Sequence, residues 1–186
     1  MTTSQRIINR ERAGIVVVDI QTKLTKVMRR PAFMVDNVVR LLRFSALMDL
    51  PVVVTEQYPK MMGTTLPEVR EAVAEFDPLP KMEFDCCGNH DFNTRLKAAS
   101  IDQIILTGLE THICILQTCL SLLEAGYKVY VPRDGVDSRT EENWQVGLEL
   151  MKSAGAVITS AETIIFQILK KAGTAEFKQA MKLIVD

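Results

Sequence analysis

Histidine is scarce in this chain of 186 residues, with two copies, tryptophan occurs once, and neither sign of charge prevails. Twenty-two basic residues against 23 acidic ones leave a formal charge of −1. A phosphate backbone usually demands a basic face and a high pI, so no nucleic-acid partner is expected. Apolar runs such as Ile15–Val18 fall far short of the roughly 20 residues that a membrane span requires. The N-terminal stretch carries arginines but no apolar core, which argues against a secretory signal. Glu11 and the apolar run that follows it favour the cytoplasm, with the mitochondrion as the alternative compartment. The cysteines, at positions 86, 87, 114 and 119, lack framework spacing and read as thiols of an intracellular protein. There is no GxGxxG, no P-loop and no HExxH, and two histidines lend little support to a Ser-His-Asp system. No cofactor is therefore expected.

What remains is the balance of a globular enzyme or binding protein, 47% hydrophobic and 24% charged. At about 150 residues per domain the chain reads as one domain, residues 1–186, able to bury roughly 70% of its unfolded surface without a disulfide or zinc. Gly14-Ile-Val-Val-Val18, Pro51-Val-Val-Val-Thr55 and Ile104-Ile-Leu-Thr107 are continuous apolar runs, as strands covered on both faces should be. Tyr127–Val131 and Ala156–Thr159 add two more. Between them lie helical patterns: Met34–Met48, a stripe of Ile113, Leu116, Leu120 and Leu123, and the terminal stretches Glu162–Leu169 and Glu176–Ile184. Gly126 and Gly155 stop two helices, and Ser138 with Glu141 offers a capping box. The alternation predicts an α/β, three-layer α/β/α Rossmann-like fold around a mostly parallel sheet of about six strands. Glu56 to Asp91, with four prolines and little periodicity, breaks the rhythm, and long irregular stretches in compact domains are usually functional.

In such a sheet, ligands bind beyond the carboxyl ends of the strands. Asp19 ends the first strand, where a buried acid must be paired or useful, a solvated loop acid being the competing reading. Cys114 follows the third strand. With Thr111 as N-cap it lies in the first helical turn, where the helix dipole lowers a thiol's pKa and free N–H groups can hold an oxyanion. The competing reading is a small core hydrophobe. Lys81 stands beside Pro80 in a mixed apolar run, where a snorkelling surface lysine is the ordinary outcome. The run from Cys86 to His90 suggests a metal site, but vicinal cysteines chelate one tetrahedral ion poorly and no second half-set exists, so no metal is assigned.

Taken in order, these stretches resemble the isochorismatase-like cysteine hydrolases over nearly the whole chain. The resemblance rests on Val16-Val-Val-Asp19-Ile-Gln21, Pro80-Lys81-Met-Glu-Phe84, Thr107-Gly-Leu-Glu-Thr-His-Ile-Cys114, Asp134 to Arg139 and the tail Ser160 to Leu169. Thr55 to Pro59 and Gly63 to Pro67 look most like the isochorismatase domain-containing subgroup, whose physiological substrate is undefined. The resemblance implies a triad of Asp19 as base, Lys81 stabilising the thiolate and orienting Asp19, and Cys114 as nucleophile. It also implies a non-proline cis peptide at Leu109–Glu110, with the N–H groups of Glu110 and Cys114 forming an oxyanion hole. Gln21, Leu24, Tyr58 and His112 are candidate pocket residues, Leu24 standing where relatives often carry an aromatic. Nicotinamidase relatives carry an Asp-x-His metal motif where this chain has Glu56-Gln57-Tyr58, which argues against zinc and against nicotinamide. True isochorismatases cleave a vinyl ether without this cysteine. The resulting expectation is a cofactor-independent hydrolase of a small amide or related C–N substrate. A non-catalytic oligomeric binding protein and, further off, a nucleic-acid enzyme of ribonuclease-type name are the alternatives. Copies of the chain are the expected partner, as a dimer, tetramer or larger assembly, with the C-terminal helices and Trp144 as a candidate interface.

Overall fold

A computed structural model describes residues 7–185. The apolar runs become strands β1 (Ala13–Val18), β2 (Val52–Gln57), β4 (Gln103–Leu109), β5 (Lys128–Pro132) and β7 (Val157–Thr159). Two shorter strands join them, β3 (Leu79–Lys81) and β6 (Val136–Asp137), so the sheet has seven strands rather than six. All named pairings are parallel, in the order β3-β2-β1-β4-β5-β7, with β6 alongside β4. β1 is buried along its whole length between β2 and β4. Its alternate side chains feed two cores. Ile15 and Val17 pack with α2 (Pro31–Met48), α8 (Ala161–Leu169) and α9 (Ala175–Val185) on one face. Val16 and Val18 pack with α5 (His90–Ala98), α6 (Leu116–Glu124) and α7 (Glu141–Ala154) on the other. This is the three-layer arrangement that the alternation predicts.

The stretch from 56 to 91 is ordered by short pieces. Pro59 and Pro67 open α3 (Pro59–Met62) and α4 (Pro67–Ala72), using the first helical position where a missing N–H costs nothing. Pro80 sits in β3, which is an edge of the sheet, where a proline is tolerated. Its role is to carry Lys81 to the carboxyl end of the sheet. The run from Cys86 to His90 forms a 3-10 turn, Cys86–Gly88, and Asn89 then caps α5 by accepting from the N–H groups of Asp91 and Phe92.

Several local expectations are corrected. Thr140, not Ser138, caps α7, and Ser138 is fully buried. Thr111 caps nothing: it opens a π-turn, Thr111–Ile115, that runs into α6, and its hydroxyl is buried without a partner. That turn rotates the following helix, so the buried side is Cys114, Ile115, Thr118, Cys119 and Leu122, while Leu120 of the predicted stripe is exposed. Trp144 is no interface residue. It is buried, donates to the carbonyls of Val136 (3.1 Å) and Arg133 (3.3 Å), and has the guanidinium groups of Arg29 and Arg133 each 4.8 Å from its ring centre.

Candidate active site

Asp19, Lys81 and Cys114 come from three different strand ends and meet at the crevice beside β1, where the connections leave the sheet in opposite directions. Asp19 leaves β1 in the left-handed conformation at φ 56°, which aspartate tolerates better than most residues. Its carboxylate is fully buried and accepts from Thr55 Oγ1 at 2.7 Å and Lys81 Nζ at 2.6 Å. The Cys114 thiol also hydrogen-bonds to it. Lys81, 3% exposed, places its ammonium against Asp19, Gln57 Oε1 at 2.6 Å and the Glu83 carbonyl at 3.2 Å. Three donors meet three acceptors, so the surface-lysine reading of Lys81 is overturned by the closure of residues 83–84 over it.

The turn that carries Cys114 is held by two close approaches. β4 passes β1 so tightly at Gly108, φ 114°, that a Cβ there would lie 2.0 Å from the Val18 carbonyl oxygen. The peptide Leu109–Glu110 that follows is cis. From the outer layer, α7 presses Gly147 against the π-turn: a Cβ would meet Thr111 O at 2.8 Å, Thr111 C at 2.9 Å and His112 N at 3.0 Å. Cys114 therefore sits on backbone fixed from both sides.

Burial pushes the Asp19 carboxyl above the usual carboxylate range, against the charge and hydrogen bonds of Lys81. Burial alone would lower Lys81, but the Asp19 charge and its hydrogen bond raise it, so the ammonium persists. Burial and then the Asp19 charge push the Cys114 thiol up to about 12, with Lys81 opposing. The expectation of a dipole-lowered thiol is corrected: the resting group is a neutral thiol donating to a carboxylate of raised basicity.

A cavity of about 290 Å³ opens at Cys114, walled by Leu24, Val27, Met62, Phe84 and Ile113, with Gln57, Glu110 and Arg139 as its polar members. Of the four predicted pocket residues, Leu24 lies on this wall and the other three do not. Gln21 is fully buried, and its amide clamps backbone, donating to the carbonyls of Gln57 (3.0 Å) and Gly63 (2.6 Å) and accepting from Gln57 N (2.8 Å). His112, its pKa lowered by burial, turns Nδ1 to Ser138 Oγ at 3.0 Å. Tyr58 opens α3, 40% exposed, and its N–H donates to the Lys81 carbonyl at 2.9 Å.

The profile of the isochorismatase domain matches residues 13–163, from the first residue of β1 into α8, and so spans all three residues of the cluster. The chain belongs to the isochorismatase domain family. It is 39% identical over 144 residues to the secreted isochorismatase effector Isc1 of Phytophthora sojae, covering 75% of this chain and 69% of that protein. It is 30% identical over 177 residues to isochorismatase domain-containing protein 2 of Xenopus laevis, covering 95% and 85%. Among solved structures, MAR1 ribonuclease of Caenorhabditis elegans superposes with a TM-score of 0.91 at 32% identity, covering 97% of this chain and 93% of that one.

Reasoning from the sequence missed Thr55, Gln57, Val27, Met62, Phe84 and Arg139 at this isochorismatase-domain site. Thr55 and Gln57 carried a usable signal, since they end β2 beside Asp19. Glu56, between them, faces the other way and accepts from Thr65 N at 2.7 Å and Thr65 Oγ1 at 2.8 Å, tying the 58–66 segment to the sheet. Among the described residues, no three His, Cys, Asp or Glu side chains converge where a metal could sit.

Proposed function

We propose that this chain, which has the isochorismatase-family hydrolase fold, is a cofactor-independent cysteine hydrolase that cleaves the C–N bond of a small amide or related substrate. The observation that carries this reading is the buried hydrogen-bonded array of Lys81, Asp19 and Cys114 opening on one cavity. Asp19 takes the thiol proton as Cys114 sulfur bonds to the substrate carbonyl carbon. Lys81 remains protonated and screens the negative charge. The backbone N–H groups of Glu110 and Cys114 receive the carbonyl oxygen as its charge develops. Collapse of the tetrahedral adduct breaks the C–N bond, and Asp19 returns its proton to the departing nitrogen, leaving a thioester. Water, deprotonated by Asp19, then attacks that carbonyl, releasing a carboxylic acid and restoring the thiol.

A panel of small amides and ureides assayed for ammonia release tests this, with Cys114→Ala as control. The variant should lose at least about 1,000-fold in kcat/KM while keeping its circular dichroism and melting temperature. Undiminished turnover would sink the mechanism and favour a non-catalytic binding role. The ribonuclease name of the Caenorhabditis elegans protein raises a second reading, but the balanced charge and the small apolar cavity favour a small molecule. RNA binding at low salt that vanishes in the Cys114→Ala variant would reverse that preference.

The cytoplasm suits a chain whose four cysteines are all free thiols. Among the described residues, no helix is long and apolar enough to cross a membrane. Self-association is supported by Val27 and Phe84, which lie on the cavity wall yet are 56% and 54% exposed. Light scattering should return a mass above 20.9 kDa.

A further inference from the structure

Given a cysteine hydrolase at this site, we infer that the group borne by the substrate carbonyl is short, apolar and uncharged. The cavity at Cys114 holds about 290 Å³, room for about ten heavy atoms at roughly 30 Å³ each. Six of its walls are hydrocarbon or thioether: Leu24, Val27, Met62, Phe84, Leu109 and Ile113. Two of its polar walls, Gln57 and Glu110, are already committed. Gln57 Oε1 accepts from Lys81 Nζ at 2.6 Å, and its Nε2 donates to the Met82 carbonyl at 2.8 Å. Glu110, 8% exposed, accepts from the Nε of Arg139 at 3.1 Å and from its backbone N at 3.2 Å.

These two charges cancel across the cavity. Arg139, its side chain 54% exposed and held to Glu110 through Nε, keeps the rest of its charge towards solvent, so an anionic substrate seated among the apolar walls would lose its hydration without a buried partner. A cationic one would compete with Arg139 for the same carboxylate while losing its own hydration. An alkyl or aryl group meets neither cost and gains by covering apolar wall. Leu24 closes one side of this space, and so sets the length of chain that fits.

The primary amides acetamide, butanamide, pentanamide and hexanamide test the inference, against succinamate and 4-aminobutanamide, charged analogues close in size to pentanamide. kcat/KM should rise about fourfold for each added methylene. Both charged analogues should fall at least tenfold below pentanamide. Leu24→Phe should lower turnover of hexanamide about tenfold more than that of acetamide. A second arm does not depend on hydrolysis. Butyl, 2-sulfonatoethyl and 2-aminoethyl methanethiosulfonates react with Cys114, followed by mass spectrometry and normalised to free cysteine. The butyl reagent should lead both charged reagents at least tenfold. Cys114-dependent turnover with succinamate preferred overturns the inference and leaves the hydrolase reading intact. No amide turnover with the butyl preference retained overturns the hydrolase reading alone. Equal thiosulfonate rates, or a lead for either charged reagent, overturn the inference whatever the amides do.

Discussion

Replacing Lys81 by methionine keeps the length of the side chain and removes its charge. Asp19 would then be a fully buried carboxylate with only Thr55 and Cys114 donating to it, and Gln57 Oε1 would lose its partner at 2.6 Å. Removing one member of a buried ion pair costs about 3–5 kcal/mol, because the other is left uncompensated. For a chain of this length each kcal/mol lowers the melting temperature by about 2–4 °C, so the expected drop is about 6–20 °C. The loss should depend on pH. Burial already raises Asp19 above the ordinary carboxylate value of 3.8, and without Lys81 nothing cationic opposes it. A group whose folded pKa is raised stabilises below its unfolded pKa, and that stability is lost as pH rises through the folded value. The Lys81→Met protein should therefore be less impaired at pH 4.5 than at pH 8. Asp19→Asn combined with Lys81→Met removes both charges and should recover most of the stability. Thermal and urea melts at the two pH values measure all of this. A single-variant loss under about 1 kcal/mol, or strict additivity in the double variant, would refute a buried, mutually dependent pair.

Alkylation of Cys114 in the absence of substrate should climb about tenfold per pH unit from pH 7 towards 11, since its thiol is pushed up to about 12; a plateau below pH 8 would mean a preformed thiolate. Gly147→Ala should push the Thr111–His112 backbone and with it Cys114, costing about 1–3 kcal/mol in chemical melts and a larger factor in kcat than in KM. Alkaline stability should fall steeply. Cys86, Cys114 and Cys119 all sit near 12 when folded against a reference of 9.0, and burial raises Cys87 as well, so above pH 9 the unfolded chain sheds protons that the folded one keeps. At about 1.4 kcal/mol per pH unit for each thiol, the four together cost about 5.5 kcal/mol per unit, and Cys119→Ala should cut the slope by about a quarter in urea melts from pH 9 to 11.

The strands that could be read directly are those whose burial on both faces writes a continuous apolar run, such as Ile15–Val18 and Val52–Val54. β3 could not, because Leu-Pro-Lys satisfies no strand pattern and its pairing with β2 is a tertiary event. Lys81 shares that fate: its residue type predicts solvent, and only the closure of Glu83 and Phe84 over Nζ makes it interior. The sign of the Cys114 shift shows the same limit more sharply. A helix start contributes a favourable field of a fraction of a unit charge, which local sequence reveals. Burial and a full carboxylate charge in hydrogen-bond contact outweigh it: the burial is tertiary and the carboxylate stands at the end of β1, nearly a hundred residues away. The helix terminus is therefore the weaker influence on this thiol. On the proposed mechanism, activation comes from Asp19 at the moment a carbonyl arrives, a role that suits an acid sealed from water with a charged lysine buried beside it.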